Sequence, residues 1–538
     1  MTPDAPAPAL ATSHPPATTG AVAWRYWTAL AAIVLLAGAL RVHDLSRAAL
    51  GIDELFSVHF ATAHGPWESS LPEPGQWVSS PPRLQSVAYA GPWWRIPHAL
   101  LRDTHPPLHP MALRAWVEVF GDSDTAARAL SVVLSLAATL LLFDAVRWLH
   151  SPSAGLWAAG IMAVAGPQIE YAQEIRGYMM LTCLACAAAA VTARLVVRGV
   201  TWRRATAFAA VCLLGMLTHY WAIAPLSAAA AFLAMELSPA GRRRVAACVA
   251  VTALVYLLTW GPWVWAQRPY FSANLQTLAE PEPDGHALRT LRMASIVPLR
   301  LLYDPGARVL AAAEAGRDWR WAAVGVTFLL PLPLLRGNRG MRLWWLMLVL
   351  PVAIVAATDL LEQRRTINLP RYVLPAGVGL YGLIAAAGAA SLTAWRRHAL
   401  PACAALACIA ALPMAWDRTK PDWRTLAREA MMPDDARDRP VILLGTQGSR
   451  WRIAIVYMAV CRYAGPPAGP ITLVETPEHA AAAVAALPPE QRGSVVVLHD
   501  ALEPPVARFF PAARILRSSG VPWTGSWAVI RPTAPSPD

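Results

Sequence analysis

Long apolar runs constrain this chain more than any other feature of its sequence. A helix needs about 20 apolar residues to cross the hydrocarbon core of a bilayer. Only 15% of the 538 residues are charged, whereas soluble domains carry about 25%. Eleven runs qualify as candidate spans, near residues 22–42, 126–148, 154–172, 177–196, 205–219, 221–237, 245–264, 320–335, 342–360, 371–391 and 399–415. The sequence therefore predicts a multi-pass α-helical membrane protein with about eleven transmembrane helices, and the shorter run 108–120 predicts a helix at the membrane interface.

The arginines between these runs predict the orientation of the chain. Every second connection is rich in arginine, and cytoplasmic loops carry such an excess. These turns contain Arg147, then Arg194, Arg198, Arg203 and Arg204, then Arg242, Arg243 and Arg244, then Arg336, Arg339 and Arg342, and then Arg396 and Arg397. We therefore expect a cytoplasmic N-terminus and external alternate connections, including the long segments 43–125 and 265–319. Because much of the net charge of +12 lies in these turns, we interpret it as a topology signal and predict no nucleic-acid partner.

The two ends of the chain differ from its apolar middle. Residues 1–21 are rich in Pro, Ala and Thr, which predicts a disordered tail. Residues 416–538 contain short β-branched runs at 441–445, 471–475 and 494–500, separated by helix-like stretches. This pattern predicts a small α/β domain outside the membrane, next to a transmembrane domain over residues 22–415.

The predicted orientation gathers ionisable and aromatic side chains on the outer side of the membrane. Such groups at a membrane edge are costly unless they are hydrated, paired or functional. They form five groups at the outer ends of the predicted spans, two of them in the long segment 43–125: Asp53 and Glu54; His105; Glu174, Arg176 and Tyr178; His219; and Arg371 and Tyr372. We expect these side chains to meet in one water-filled cavity at the outer ends of the helices.

This set of residue types suits the transfer of a sugar from a lipid-linked donor. A phosphate leaves as an anion and needs cationic groups to stabilise its charge. An acceptor hydroxyl is a poor nucleophile and needs a carboxylate to take its proton. The reaction therefore needs at least one carboxylate base and several cationic groups. The predicted outer connections contain both.

Several of these segments resemble the GT-C glycosyltransferases over about residues 22–415. LGIDELFSVHFA resembles the acidic first-loop motif of that superfamily. THPPLHPMALRAWVEVFG and YAQEIRGYMMLTCL resemble two segments of its family 39 branch, which includes protein O-mannosyltransferases and lipid A aminoarabinose transferases. THYWAIAPL and LPRYVLPAGVGLY resemble later spans of the same branch. The insert between Asp53 and His105 is longer than in the family, and His109-Pro110 stands where aromatic residues are more usual.

The resemblance implies an inverting transfer from a polyprenyl-phosphate sugar at the outer face of the plasma (inner) membrane. Asp53 matches the catalytic aspartate that acts as the base, and Glu54 matches its acidic neighbour, so we assign both to the catalytic site. The resemblance assigns a further set to substrate binding: His105, Glu174, Arg176, Tyr178, His219, Arg371 and Tyr372. The sugar stays open, as does the acceptor, which is a lipid, a protein or a glycan. A divalent metal ion also stays open, since no compact ligand spacing occurs in the sequence.

Other interpretations of the same residues remain. Asp53 and Glu54 fit the first turn of an interfacial helix, His219 and Arg371 fit headgroup-level anchors, and Glu174 with Arg176 fits a solvated loop. The main alternative function is a transporter or flippase of lipid-linked sugars. That function favours broken helices and polar groups at mid-membrane, whereas the mid-span residues here are mostly Ala, Leu and Val.

Overall fold

The structure is a computed structural model that describes most of the chain. The described residues are 20–79, 82–276, 285–303, 328, 332, 335, 338–390, 393, 395–416, 420, 423, 424, 427, 440–444, 450–463, 470–492, 495–499, 513–521 and 525–532. The predicted tail up to residue 19 and almost all of the predicted span near 320–335 lie outside them.

Helices dominate the part of the chain that precedes residue 417. Their bounds are Gly20–Val42, Ile52–Ala61, Ile96–Ala99, Leu108–Phe120, Asp124–Leu149, Pro152–Val164, Gly166–Ala172, Tyr178–Val197, Trp202–Thr218, Ile223–Glu236, Pro239–Thr259, Gly261–Gln276, His286–Leu302, Arg339–Glu362, Pro370–Val373, Ala376–Ala389 and Arg396–Trp416. Short 3₁₀ turns cover Trp67–Ser70, Val87–Tyr89, Trp93–Arg95, Tyr220–Ala222 and Thr366–Asn368. The predicted interfacial helix at 108–120 has these bounds in the structure.

Five helices in the described part of the chain are long and apolar enough to cross a membrane: Trp24–Val42, Asp124–Leu149, Tyr178–Val197, Arg339–Glu362 and Arg397–Trp416. A sixth span arises if Pro239–Thr259 and Gly261–Phe271, which are bent by 64° relative to each other, count as one. Shorter apolar helices occupy other predicted spans, among them Pro152–Val164, Tyr220–Glu236 and Ala376–Ala389. The predicted class of a multi-pass α-helical membrane protein is thereby confirmed, while the number eleven stays a prediction.

One predicted span, 154–172, is broken in the structure. The helix Pro152–Val164 ends before Ala165, whose backbone is extended, and a new helix begins at Gly166. Pro167 explains the break, because proline has no N–H to donate to the carbonyl of Ala163 four residues earlier. The guanidinium of Arg41, fully buried, donates instead to the Ala163 oxygen at 2.9 Å and to the Met162 oxygen at 3.0 Å.

The part of the chain after residue 417 contains the predicted α/β elements. Its described helices are Arg450–Tyr463, Pro477–Ala485 and Pro489–Arg492, and its strands are β1 Val441–Leu444, β2 Ile471–Val474, β3 Val496–His499, β4 Ala513–Val521 and β5 Gly525–Pro532. The sheet order is β2-β1-β3-β5-β4. The three predicted strands β1, β2 and β3 pair in parallel, and the hairpin β4–β5 joins them through an antiparallel pair between β3 and β5.

The segment 43–125, the predicted first outer loop, packs directly against this C-terminal unit. Val78 forms an antiparallel bridge with Ile471, which extends the sheet beyond β2. The N–H of Gly75 donates to the carbonyl of Leu473 at 2.7 Å. One apolar cluster combines both regions, with Leu50, Leu55, Val58, Leu84, Ile455, Tyr457 and Leu473 among its buried members. The outer loop and the C-terminal unit therefore share a hydrophobic core.

Candidate active site

The helix Ile52–Ala61 places Asp53 and Glu54 in its first turn, on different sides. Glu54 turns inward, and its Oε2 accepts a hydrogen bond from the N–H of Gly51 at 2.6 Å. The helix-cap interpretation thus describes Glu54 correctly, since a carboxylate is favourable at a helix N-terminus. Asp53 turns toward Arg176 and Arg371, and 38% of its side chain is exposed.

Two guanidinium groups flank the carboxylate of Asp53. Arg371 Nη1 lies 2.7 Å from Asp53 Oδ2, and Arg176 Nη2 lies 3.5 Å from Asp53 Oδ1. Arg176 also donates to the hydroxyl of Ser57 at 3.3 Å. Burial alone would raise the pKa of Asp53, but the positive charges of Arg176 and Arg371 outweigh it, so that the pKa lies below its usual value. Asp53 is therefore ionised at neutral pH.

Aromatic and histidine rings form one wall beside this group. The His219 ring lies 5.4 Å from that of His105, 5.8 Å from that of Tyr178 and 6.3 Å from that of Tyr372, measured between centroids. His105 Nδ1 is 3.0 Å from a carboxylate oxygen of Asp103.

Glu174 is a predicted site carboxyl whose pKa is raised and not lowered. Burial raises the pKa of its carboxyl to about 7, and the charges of Glu54 and Asp53 also raise it, while Lys420 acts in the opposite direction. The Glu174 backbone carbonyl accepts a hydrogen bond from Ser131 at 2.6 Å, which fixes this segment to the helix Asp124–Leu149.

Glu54 occupies a different environment from Asp53, with only 2% of its side chain exposed. Its Oε1 accepts from Arg128 Nε at 2.8 Å, and its Oε2 accepts from Arg128 Nη2 at 2.9 Å and from Lys420 Nζ at 2.7 Å. A carboxylate occupied in this way cannot easily reach a substrate. The geometry favours a positioning role for Glu54 over the catalytic role that we assigned to it from the sequence.

The structure thus brings together residues from four connections of the chain, because Asp53 and His105 share the segment 43–125. Asp53, Arg176 and Arg371 are in direct contact, and His105, Tyr178, His219 and Tyr372 form a connected set of rings. Their roles as base and substrate ligands stay predictions.

Sequence reasoning did not identify four groups at this site. Asp103 orients His105, and Arg128 and Lys420 bind Glu54. Ser57 connects Arg176 to the backbone of Asp53, because its hydroxyl donates to the Asp53 carbonyl at 2.9 Å. The spacing of Ser57, one turn after Asp53 on the same helix, is the signal that could have revealed it.

A divalent cation does not fit the arrangement at Asp53. Within the described ranges, no group of three or more His, Cys, Asp or Glu side chains is placed to hold a metal ion. Both carboxylate oxygens of Asp53 face guanidinium groups, whose positive charge would repel a cation at the same position.

Comparison with known proteins connects this geometry to a fold. Residues 104–265 match the model of the family described as dolichyl-phosphate-mannose-protein mannosyltransferase. Among solved structures, ArnT from Cupriavidus metallidurans in the apo state is similar over 96% of this chain and 100% of its own, at 13% identity and a TM-score of 0.55. The chain has the GT-C fold. The same ArnT bound to undecaprenyl phosphate is similar at 14% identity, over 96% of this chain and 99% of its own, with a TM-score of 0.55.

The likeness to ArnT confirms the sequence resemblance to GT-C proteins at the level of the fold. The apo oligosaccharyltransferase of Archaeoglobus fulgidus is similar over 89% of this chain and 70% of its own, at 13% identity and a TM-score of 0.48. No curated protein sequence matches the chain. The matched family segment contains His105, Glu174, Arg176 and His219, whereas Asp53 and Arg371 lie outside it. Asp53 and Arg371 are therefore assigned to the site because of two contacts, one between Asp53 and Arg176 and one between Asp53 and Arg371.

Proposed function

We propose that this protein transfers a glycosyl group from a polyprenyl-phosphate sugar to an acceptor hydroxyl, with inversion, at the outer face of the plasma membrane. The observation that carries the proposal is the carboxylate of Asp53 between Arg176 and Arg371. A base that accepts a proton and cations that accept a phosphate are thereby adjacent, as this reaction requires.

In this proposal, Arg176 and Arg371 have different partners in the ligand-free and the donor-bound protein. Without donor, they pair with Asp53 and compensate their own burial. A donor phosphate offers more negative charge and a geometry that suits guanidinium groups, so it competes with Asp53 for both of them. Donor binding therefore loosens the hold on Asp53 and raises its basicity at the moment when a base is needed.

The chemical step is a single displacement at the anomeric carbon. The acceptor oxygen attacks that carbon opposite to the phosphate, its bond to carbon forms, and the carbon–phosphate oxygen bond breaks. The proton of the acceptor hydroxyl passes to Asp53, and the electron pair of the broken bond stays on the phosphate, which Arg176 and Arg371 stabilise. Attack from the opposite face inverts the configuration of the sugar carbon.

The remaining predicted residues support binding of the sugar and the lipid. His219 and His105 are placed to donate or accept hydrogen bonds through their ring nitrogens, and Tyr178 and Tyr372 give apolar faces for stacking against a sugar ring. The predicted orientation, with arginine-rich turns inside, places this set at the outer side of the membrane.

Replacement of Asp53 by Asn tests the proposed base. The amide in Asp53→Asn keeps the size of the side chain but cannot take a proton at neutral pH, so we expect turnover with a polyprenyl-phosphate sugar to fall by about a thousandfold or more. We expect binding of polyprenyl phosphate, followed by tryptophan fluorescence, to persist or to strengthen because the competing carboxylate is gone.

The matched control is Asp44→Asn. Asp44 is an acid of the same outer loop, partly exposed and paired with Arg47. Its left-handed backbone, with φ of 57°, suits Asn as well as Asp, so the control variant should keep its turnover. Full activity in Asp53→Asn would reject Asp53 as the base.

A further inference from the structure

Lys420 is the only lysine in a chain of 538 residues that carries 46 Lys and Arg in total. It follows the helix Arg396–Trp416, the last candidate membrane span in the described part of the chain, at the entry to the C-terminal unit. Its ammonium group nevertheless reaches the first turn of the helix Ile52–Ala61, where Nζ donates to Glu54 Oε2 at 2.7 Å. Only 13% of the Lys420 side chain is exposed.

Glu54, the partner of Lys420, connects the two segments that carry Asp53 and Arg176. Its Oε2 accepts from the N–H of Gly51, two residues before Asp53, at 2.6 Å. Its Oε1 accepts from the N–H of Ile175, directly before Arg176, at 3.2 Å. The position of the Glu54 carboxylate therefore sets the distance between the Asp53 segment and the Arg176 segment.

Two cations hold this carboxylate in place. Arg128 binds both of its oxygens from the helix Asp124–Leu149, and it also donates to the carbonyls of Leu45, Ala48 and Ala49. Lys420 approaches from a distant part of the sequence. Burial opposes ionisation of Glu54, whereas the charge of Lys420 and the hydrogen bonds and charge of Arg128 lower its pKa. Without Lys420, Glu54 would lose one of the two cations that stabilise its ionised form.

We propose that Lys420 is a positioning residue, which holds Asp53 against Arg176 by fixing Glu54. This inference rests on the proposed function, since it assigns Lys420 a part in the same reaction. It also gives the C-terminal unit a role in that reaction, because the connection that leads into this unit completes the anchor of the catalytic loop. Lys420 acts through Glu54 and is not itself assigned to substrate.

A compact ammonium group suits this position better than a guanidinium. Lys offers three donors around one point charge, whereas the planar fork of Arg needs two oxygens side by side. Arg128 already occupies the side of the carboxylate where both oxygens are accessible. A second guanidinium could therefore approach only one of the two Glu54 oxygens. This explains why a lysine occupies this position in a chain whose other basic residues are arginines.

Hydrogen–deuterium exchange tests the positioning without reference to activity. In Lys420→Met, we expect exchange of the backbone amides of Gly51 and Ile175 to accelerate about tenfold or more, because a charge-assisted hydrogen bond to their acceptor is lost. In Lys420→Arg, we expect part of the protection to return, because the charge is kept although the guanidinium fits the remaining oxygen edge less well. Arg243→Met, which removes an exposed cation from an inner turn, should leave both segments unchanged.

Turnover tests the consequence for the reaction. We expect Lys420→Met to lower kcat about tenfold or more with a smaller change in the KM for the donor, since Asp53 is no longer held against Arg176 while Arg371 still binds the phosphate. Lys420→Arg should recover part of kcat, because it keeps the positive charge. A rise in KM alone would mean that Lys420 contacts the donor directly, and that result would overturn the positioning role.

The two measurements separate failure of this inference from failure of the proposed function. Unchanged exchange at Gly51 and Ile175 in Lys420→Met would reject the positioning role, whatever the wild-type protein catalyses. A wild-type protein that transfers no sugar from any polyprenyl-phosphate donor would reject the proposed function, while the exchange data would still decide whether Lys420 fixes the loop.

Discussion

At the scale of single residues, neighbouring acids have been given opposite environments. Asp53 is exposed enough to meet a substrate, and its partners are two arginines that a phosphate can attract away. Glu54 is enclosed by groups that no substrate would replace, including backbone N–H donors. The difference arises from helix geometry, because consecutive residues in a first turn point about 100° apart. One acid can therefore serve chemistry while the next serves structure.

Arg371 offers a test of the cationic side of the site. We expect Arg371→Lys to raise the KM for the donor about tenfold, because the ammonium keeps the charge but cannot bind two phosphate oxygens as a fork. Arg371→Met should raise the KM further, because it removes the positive charge as well. Of the two arginines that contact Asp53, Arg176 then remains. Steady-state kinetics at varied donor concentration give both values. Equal donor affinity in all three proteins would exclude Arg371 from the phosphate site.

Glu174 gives the site a pH dependence of stability. A carboxyl with a pKa raised to about 7 in the folded protein binds protons that the unfolded chain has already released above about pH 4.5. Stability attributable to Glu174 therefore falls as the pH rises from about 4.5 through 7. We expect the apparent melting temperature of Glu174→Gln to match the wild type at pH 5 and to exceed it at pH 8.

The control for this measurement is Glu490→Gln, which changes an exposed acid of the C-terminal unit. Its melting temperature should follow that of the wild type across the same range of pH. If the melting temperature of Glu174→Gln also equalled that of the wild type at pH 8, that result would reject a raised pKa for the Glu174 carboxyl.

At the scale of elements, the sequence predicted the positions of helices better than the breaks within them. The apolar run 126–148 corresponds to the helix Asp124–Leu149, because a long run without breakers leaves little freedom. The run 154–172 looked equally continuous, yet it is broken at Ala165. Pro167 was visible in the sequence, but only the packed structure reveals a cation that can satisfy the freed carbonyls.

The candidate site shows the same limit. The motifs LGIDE and QEIRGY, together with the alternating arginine-rich turns, were enough to expect Asp53 and Arg176 on one face. The contact between Lys420 and Glu54 joins residues 366 positions apart. A lone charge just after a span resembles an ordinary loop residue, and no local pattern distinguishes it from one.

Arg41 tests the explanation of the broken span. It is fully buried, and it joins three helices through Ser135, Met162 and Ala163. We expect Arg41→Met to reduce the free energy of unfolding by about 1–3 kcal/mol, because buried carbonyls lose their donors. The apparent melting temperature in detergent measures the loss. Arg25→Met changes an exposed arginine on the same helix, and an equal loss there would show that the buried contacts of Arg41 are unimportant.

At the scale of the whole molecule, the C-terminal unit is attached to the outer loop by more than the chain connection. Asp124, at the start of its membrane helix, accepts hydrogen bonds from Arg424, Arg462 and Tyr463. The Tyr463 hydroxyl in turn accepts from the N–H of Leu50 at 2.8 Å. Together with the shared apolar cluster, these bonds connect the unit to the loop that carries Asp53. Removal of the unit would expose that cluster to water and deprive the loop of these packing partners.

Asp124→Asn tests this attachment, because Arg462 would keep its buried charge without a carboxylate to balance it. Breaking a buried ion pair in this way typically costs about 3–5 kcal/mol, so we expect faster proteolysis of the outer loop and reduced turnover. The double variant Asp124→Asn/Arg462→Gln removes the stranded charge and should recover part of the protease resistance. Asp144→Asn is the matched control, because it changes an acid near the predicted cytoplasmic end of the same helix Asp124–Leu149. Asp144 pairs there with Arg147 of that helix and with Arg194 of the helix Tyr178–Val197. We expect that variant to leave the outer loop protected, because its destabilisation lies on the far side of the membrane. Equal proteolysis of the outer loop in both variants would mean that general stability, and not docking through Asp124, protects the catalytic segment.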